Sequence, residues 1–336
     1  MRARHLLIGA GSVLCAAVLL SALRWPQDAL AGWLAAAVAA TSVPAGALVL
    51  IMMMRLIPGA WGEVLRLGCE AGVLLTPVAA LTFVPLFFGL GALYPWVPRA
   101  APSAFAEAWL SGPGYVIRTL VWFGYLGGFA WLMIARRRTA VAAAVALVAM
   151  PVLAHLVSVD WLMSRDPEFA SSAFGLQILS IMITIAFCAV LLLRHAAGAR
   201  PIRTGVLGAL LLTLLLIWAY LNFMAYLIVW SGNLPPGVAW YRMRNGLWAD
   251  ALLIASILGG GPLLLLLLAP VRRSAWLLAW LAAAALVGKL IELLWFAVPP
   301  QGMLAGLFGI LAVAGIACLY AGLLPLALAW RMGRRT

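Results

Sequence analysis

Charge is what this chain lacks most. Of 336 residues only 9% are charged, and acids are the scarcest, with nine Asp and Glu against twenty-two Lys and Arg. A soluble domain carries about a quarter charged residues, so that class is excluded. Cysteine is also sparse. Cys15, Cys69, Cys188 and Cys318 stand singly, without C-x-x-C, C-x-x-C-H or iron–sulfur spacing, and read as small apolar packing residues. Of the three histidines, His5 and His195 lie at helix ends and His155 is alone inside an apolar run. A bis-histidine b haem therefore lacks its second ligand. Gly259, Gly260 and Gly261 lead into leucines rather than G-K-[ST], which excludes a phosphate loop. No metal site, no haem or iron–sulfur cluster of its own and no nucleic-acid partner is expected.

What is present is hydrocarbon. The chain is 66% hydrophobic, with a mean hydropathy of +1.11. At about twenty apolar residues per span, the runs predict ten transmembrane helices at 5–23, 29–54, 70–90, 114–135, 139–160, 173–193, 204–230, 246–270, 275–297 and 303–330. The expected fold class is an all-α integral membrane protein, one polytopic domain over residues 1–336. Fifteen basic residues fall on one side: Arg2 and Arg4, Arg55 and Arg66, Arg136 to Arg138, Arg194, Arg200 and Arg203, Arg272 and Arg273, Arg331, Arg334 and Arg335. The other side has five, Arg24, Arg99, Arg165, Arg242 and Arg244. The positive-inside rule makes both termini cytoplasmic and accounts for the net charge of +13. Arg2 and Arg4 ahead of an apolar run resemble a signal peptide, yet no A-x-A site precedes Arg24, so the first span reads as an uncleaved helix.

The charges left inside apolar runs mark candidate sites, because a charge in hydrocarbon needs a partner or a task. Span five ends with His155, Ser158 and Asp160, the first two on one face. Asp160 either ends its helix against Arg165 or accepts a proton arriving through His155. Span nine carries Lys289 and Glu292, at i and i+3, followed by Trp295. This is either a self-paired couple that snorkels outward beneath a belt tryptophan or a functional carboxylate. Arg118, one turn into span four, snorkels or pairs with Asp160 or another carboxylate. Asn222 between Tyr220 and Tyr226, and Asp250 at the start of span eight, extend the polar set towards a ligand site. An ordinary aromatic belt would supply the tyrosines too. Glu63 and Glu70 sit at the start of span three; Glu70 is either a helix N-terminal carboxylate balancing Arg66 or the inner mouth of a proton path.

Residues 29–160 and 173–297 also form a weak internal repeat of four helices each. The units end on Asp160-Trp161 and on Glu292 with Trp295, and their long outer connections read Leu93-Tyr94-Pro95-Trp96 and Asn233-Leu234-Pro235-Pro236. An even helix number makes the repeats parallel.

Asp160-Trp161-Leu162-Met163-Ser164, with Asp166-Pro167 and Ser172-Ala173-Phe174-Gly175, resembles the central signature of the membrane subunits of alternative complex III, in the polysulfide reductase (NrfD-like) family. Leu93 to Trp96, Gly114 to Arg118, Trp218 to Trp230 with Asn233-Leu234-Pro235, and Glu292 to Trp295 with Pro299 agree in order and spacing across nearly the whole chain. The resemblance implies two parallel four-helix bundles plus two peripheral helices in a bacterial inner membrane. It further implies quinol as ligand and a place beside haem c, iron–sulfur and paralogous membrane subunits. One such copy binds quinol near the outer surface and a related, shorter copy conducts protons; this chain is similar to the shorter one. Asp160, Arg118 and Glu292 fall on the family's polar positions, whereas His155, Lys289 and Asp250 come only from the residues themselves. Pro236-Gly237 stands where the family has acids, Glu292 stands for its aspartate, and long termini are lacking.

Three functions follow as expectations. The first is a membrane subunit of a quinol-oxidising respiratory complex, binding quinol and/or conducting protons and catalytically incomplete alone. A secondary transporter or channel, and a structural anchor or assembly subunit, are the alternatives.

Overall fold

The computed structural model describes residues 2–97, 104–135, 140–166, 168–198 and 203–333. Arg99, Arg136 to Arg138, Pro167, Arg200, Arg334 and Arg335 lie outside the described residues. Among those described, ten helices are long and apolar enough to cross a membrane. These are α1 (Ala3–Ser21), α2 (Pro26–Leu56), α3 (Ala60–Phe88), α4 (Gly112–Ala135), α5 (Ala140–Arg165), α6 (Phe174–Ala196), α7 (Thr204–Gly232), α8 (Leu247–Leu266), α9 (Ala275–Ala297) and α10 (Met303–Gly333). The protein is an all-α multi-pass membrane protein.

The alanine-rich α2 is the hub. Its residues from Ala29 to Met52 are all buried. Lipid offers no hydrophobic drive between helices, so small residues that admit close approach decide which helices pack. A Cβ on Gly46 would strike the Met182 carbonyl of α6, and one on Gly32 would strike the backbone of α10 at Gly309. Around this hub α2 packs against α3, α4 and α5, while α6 packs against α7 and α9, and α8 against α9. The two four-helix groups meet along α2–α6 and α5–α6, and α1 leans on α10.

The helix α2 runs unbroken for 31 residues through Pro44, with Thr41 and Ser42 donating their hydroxyls to the carbonyls of Ala37 and Val38. One expectation needs correction. Span three begins at Ala60 rather than residue 70 and is interrupted at Leu74–Leu75, just before Pro77, into the helices Ala60–Val73 and Thr76–Phe88. Proline lacks the N–H and disfavours a helical residue before it, so a helix restarts there with Pro77 in its first turn.

Candidate functional site

In the first group of helices the polar residues close on themselves. Arg118 of α4 grips Asp160 of α5 with two hydrogen bonds, Nε to Oδ2 at 2.5 Å and Nη2 to Oδ1 at 3.0 Å. Arg118 Nη2 also donates to the Trp109 carbonyl at 2.8 Å, and its guanidinium lies 4.2 Å above the Trp109 ring. Asp160 is buried, so a bidentate arginine is the partner that offsets its desolvation. The Tyr94-Pro95-Trp96 segment folds onto this end of α5. Tyr94 donates to the Trp161 carbonyl at 3.0 Å, and the Trp96 indole donates to Ser164 Oγ at 3.1 Å. Burial raises the Tyr94 phenol above its ordinary range and keeps it neutral.

Two expectations at this end change. Asp160 pairs with Arg118 and not with Arg165, whose guanidinium crosses to the other group and donates to the Ala297 carbonyl and to Gln301 Oε1. His155 is joined to Asp160 by no hydrogen bond. It packs where α5 crosses the start of α6, and a Cβ on Gly175 would strike its backbone and ring. Ser158 is fully buried with its hydroxyl unpartnered.

The second group holds a different arrangement. Lys289 and Glu292 of α9 are both buried, with Nζ donating to Oε2 at 2.7 Å. Trp218 of α7 serves both partners. Its indole N–H is shared between the Glu292 oxygens at 2.9 and 2.8 Å, and its ring lies 3.0 Å from Lys289 Nζ. Neither charge snorkels, and Trp295 is buried rather than in a lipid belt. Asn222, one turn along α7, donates to the Trp218 carbonyl at 3.0 Å and accepts from Gln177 Nε2 of α6 at 3.3 Å.

Glu292, Trp218, Trp295, Asn222 and Gln177, though not Lys289, line a cavity of about 490 Å3. Glu292, Trp218, Asn222 and Gln177 form its polar side, and Phe174, Ala219, Leu252 and Gly260 belong to its apolar walls. Its roof is aromatic, with Phe169 stacked on Trp240 at 4.3 Å and Trp240 set edge-on to Trp295 at 5.1 Å. Arg244 lies over Trp240 at 3.5 Å and donates to the carbonyls of Trp240 and Trp295. Burial lowers the Arg244 guanidinium to about 9, partly opposed by Asp166, and raises the Tyr241 phenol in the same roof to about 12.

Of the expected lining residues, Asn222 and Tyr226 border this cavity. Tyr220 does not. It is 62% exposed on the lipid side of α7. Asp250 is exposed in the first turn of α8, where the positive end of the helix dipole accounts for an acid, and it lines no part of the cavity. Gln177, Trp218 and the Arg244 roof had no place among the expected site residues. The available signal for Gln177 was its standing as the single amide in the apolar run of α6.

A third cluster lies at the arginine-rich end. Glu70 is eleven residues into its helix, not at the N-terminus, and is clamped between two arginines. Arg66 Nε donates to Oε1 at 3.0 Å, and Arg331 of α10 donates to Oε2 from Nη2 at 2.6 Å and from Nε at 3.1 Å. A carboxylate flanked so closely by two guanidiniums is a strong ionic tie between α3 and α10. Among the described residues no cluster of His, Cys, Asp and Glu is suited to a metal ion. No family model matches the chain, and no curated protein matches it.

Proposed function

We propose that this chain is a membrane subunit of a respiratory quinol-oxidising complex, and that quinol binds in the cavity at Glu292. One observation carries the reading: a cavity of about 490 Å3, apolar and aromatic over most of its lining, converges on a carboxylate and an amide pair. Small-molecule sites have this volume and this pattern, in which a few polar groups orient a mostly apolar ligand. A quinol head is planar with a hydroxyl at either end, and its isoprenoid tail suits the apolar walls of α7 and α8.

The chemistry assigned to the chain is binding and proton handling. A quinol hydroxyl donates to Glu292, whose carboxylate takes one of the two protons lost as the two electrons leave, the other passing from the second hydroxyl to water on the outer side. Lys289 and Trp218 hold that carboxylate in place, so its geometry is set before the ligand arrives. The Gln177–Asn222 amides hold a further polar atom of the head. Electrons pass to haem c and iron–sulfur partner subunits, since the sequence carries no motif for such a centre. The pair Arg118–Asp160 lines no part of this cavity and is read as a tie between α4 and α5. The arginine-rich end is assigned to the cytoplasm of a bacterial inner membrane, which places the cavity towards the outer side.

Transport keeps one observation in its favour, the position of Lys289 only three residues past the middle of α9. Affinity purification of the tagged protein from its native membrane, read by mass spectrometry and a haem spectrum, tests the assignment. Co-purifying c-type cytochrome and iron–sulfur subunits are expected. A haem-free homo-oligomer would favour transport instead.

A further inference from the structure

On the opposite side of α9 from Glu292 lies a second cavity of about 280 Å3, and we propose that it holds one acyl chain of an anionic phospholipid from the arginine-rich leaflet. It runs between α2, α6, α9 and α10. Val43, Ala189, Leu290, Ala317 and Ala321 line it, and the small alanines of α6 and α10 leave the space. The hydroxyl of Tyr320, the polar group nearest its wall, is turned away and donates to the Ala40 carbonyl at 2.8 Å. Nothing in the groove asks for a polar ligand.

Depth and charge identify the occupant. Along α10 the lining runs from Val313 to Pro325, about 18 Å of helix. One leaflet of hydrocarbon is about 15 Å thick, half of a ~30 Å core. The groove therefore starts near the middle of the bilayer and ends near one surface, with Ala196 and Pro325 lowest. That end belongs to the basic side. Arg194 and His195 occupy the last turn of α6 beside Ala196, and His195 is exposed. The charge of the Arg194 guanidinium, which also donates to the Val64 carbonyl at 3.4 Å, suits a phosphate at the depth where a lipid headgroup sits. A partner helix is too large for about 280 Å3, since a helix with its side chains is about 10–12 Å across. A second copy of the chain would meet the same limit. The proposal is independent of the quinol reading, since the two cavities share no lining residue.

The test is native mass spectrometry of the detergent-purified full chain with added phosphatidylglycerol. One phosphatidylglycerol per chain is expected to survive delipidating detergent. Ala189→Phe and Ala317→Phe, made singly so that one can report if the other fails to fold, fill the groove and should each lower retention about tenfold. His195→Glu, on the surface and outside the packing, should lower it about fivefold, the effect of about one charge at an anionic surface. Phosphatidylglycerol retained at wild-type level in all three variants would overturn the proposal. So would a wild-type chain that retains none, or one that retains quinone and loses it on filling this groove.

Discussion

Trp218 holds Lys289 and Glu292 together: its ring lies 3.0 Å from the lysine Nζ, and its N–H is shared by the two oxygens of the carboxylate that the lysine binds. Three side chains from two helices thus form one unit at the wall of the cavity. A buried ion pair on its own gains little, because desolvation offsets the Coulomb attraction. Here an aromatic face and an indole donor satisfy what the pair leaves open, and one carboxylate is kept on the cavity side.

Glu292→Gln should fold but melt lower, since the amide oxygen still accepts from Trp218 while the buried Lys289 loses its counter-charge, and it should lower quinol-dependent electron transfer in the complex by about 100-fold or more, the usual scale for losing a proton acceptor. The measurement is turnover with saturating quinol, beside a thermal melt. Because the change strands the Lys289 charge, the pair Lys289→Met with Glu292→Gln should recover stability without recovering turnover.

Asp160→Asn should cost stability rather than chemistry. It leaves the Arg118 guanidinium, largely buried, facing a neutral amide, and breaking such a pair costs about 3 kcal/mol or less at this partly exposed site. A lowered melting temperature with normal turnover per folded complex is expected. Lost turnover in a stable Asp160→Asn complex would return Asp160 to the reaction.

Glu70→Gln should behave likewise. Two arginines would then face each other across a neutral group, at a cost of about 3 kcal/mol. Proton-to-electron stoichiometry should not change in the surviving protein, whereas a proton inlet at Glu70 would lower it. Proton uptake in proteoliposomes of the reconstituted complex distinguishes the two.

Asp250→Asn and Tyr220→Phe should leave quinol kinetics within twofold of wild type, since both side chains are exposed away from the cavity. Asn222→Leu should instead raise KM for quinol about tenfold, the loss of a polar contact in a confined site. Steady-state titration with a short-chain quinol reads both.

Much of this architecture was legible because lipid imposes simple rules. Apolar length marked the ten helices, and the i, i+3 spacing of Lys289 and Glu292 announced their contact. The pairings that escaped are the distant ones. Glu70 meets Arg331 across 261 positions, and Trp218 meets Glu292 across 74. No local periodicity carries such partners; they follow from which helices the small residues of α2 and α6 bring together. Asp160 had two arginines within reach in the sequence, and only the packing of α4 on α5 chose Arg118. The exposed Asp250 and Tyr220 looked like site residues because polar groups near a membrane surface resemble one another whether they face a cavity or lipid.

The most direct measurement is photolabelling of the native complex with an azido-quinone analogue, followed by peptide mapping. Labels on this chain confined to the segments around Phe174–Gln177 and Trp218–Tyr226, displaced by excess quinol and lost in Asn222→Leu, are the predicted result. Labelling that falls only on a paralogous subunit, or that spreads over the lipid-facing helices and resists displacement, would contradict a quinol site at Glu292.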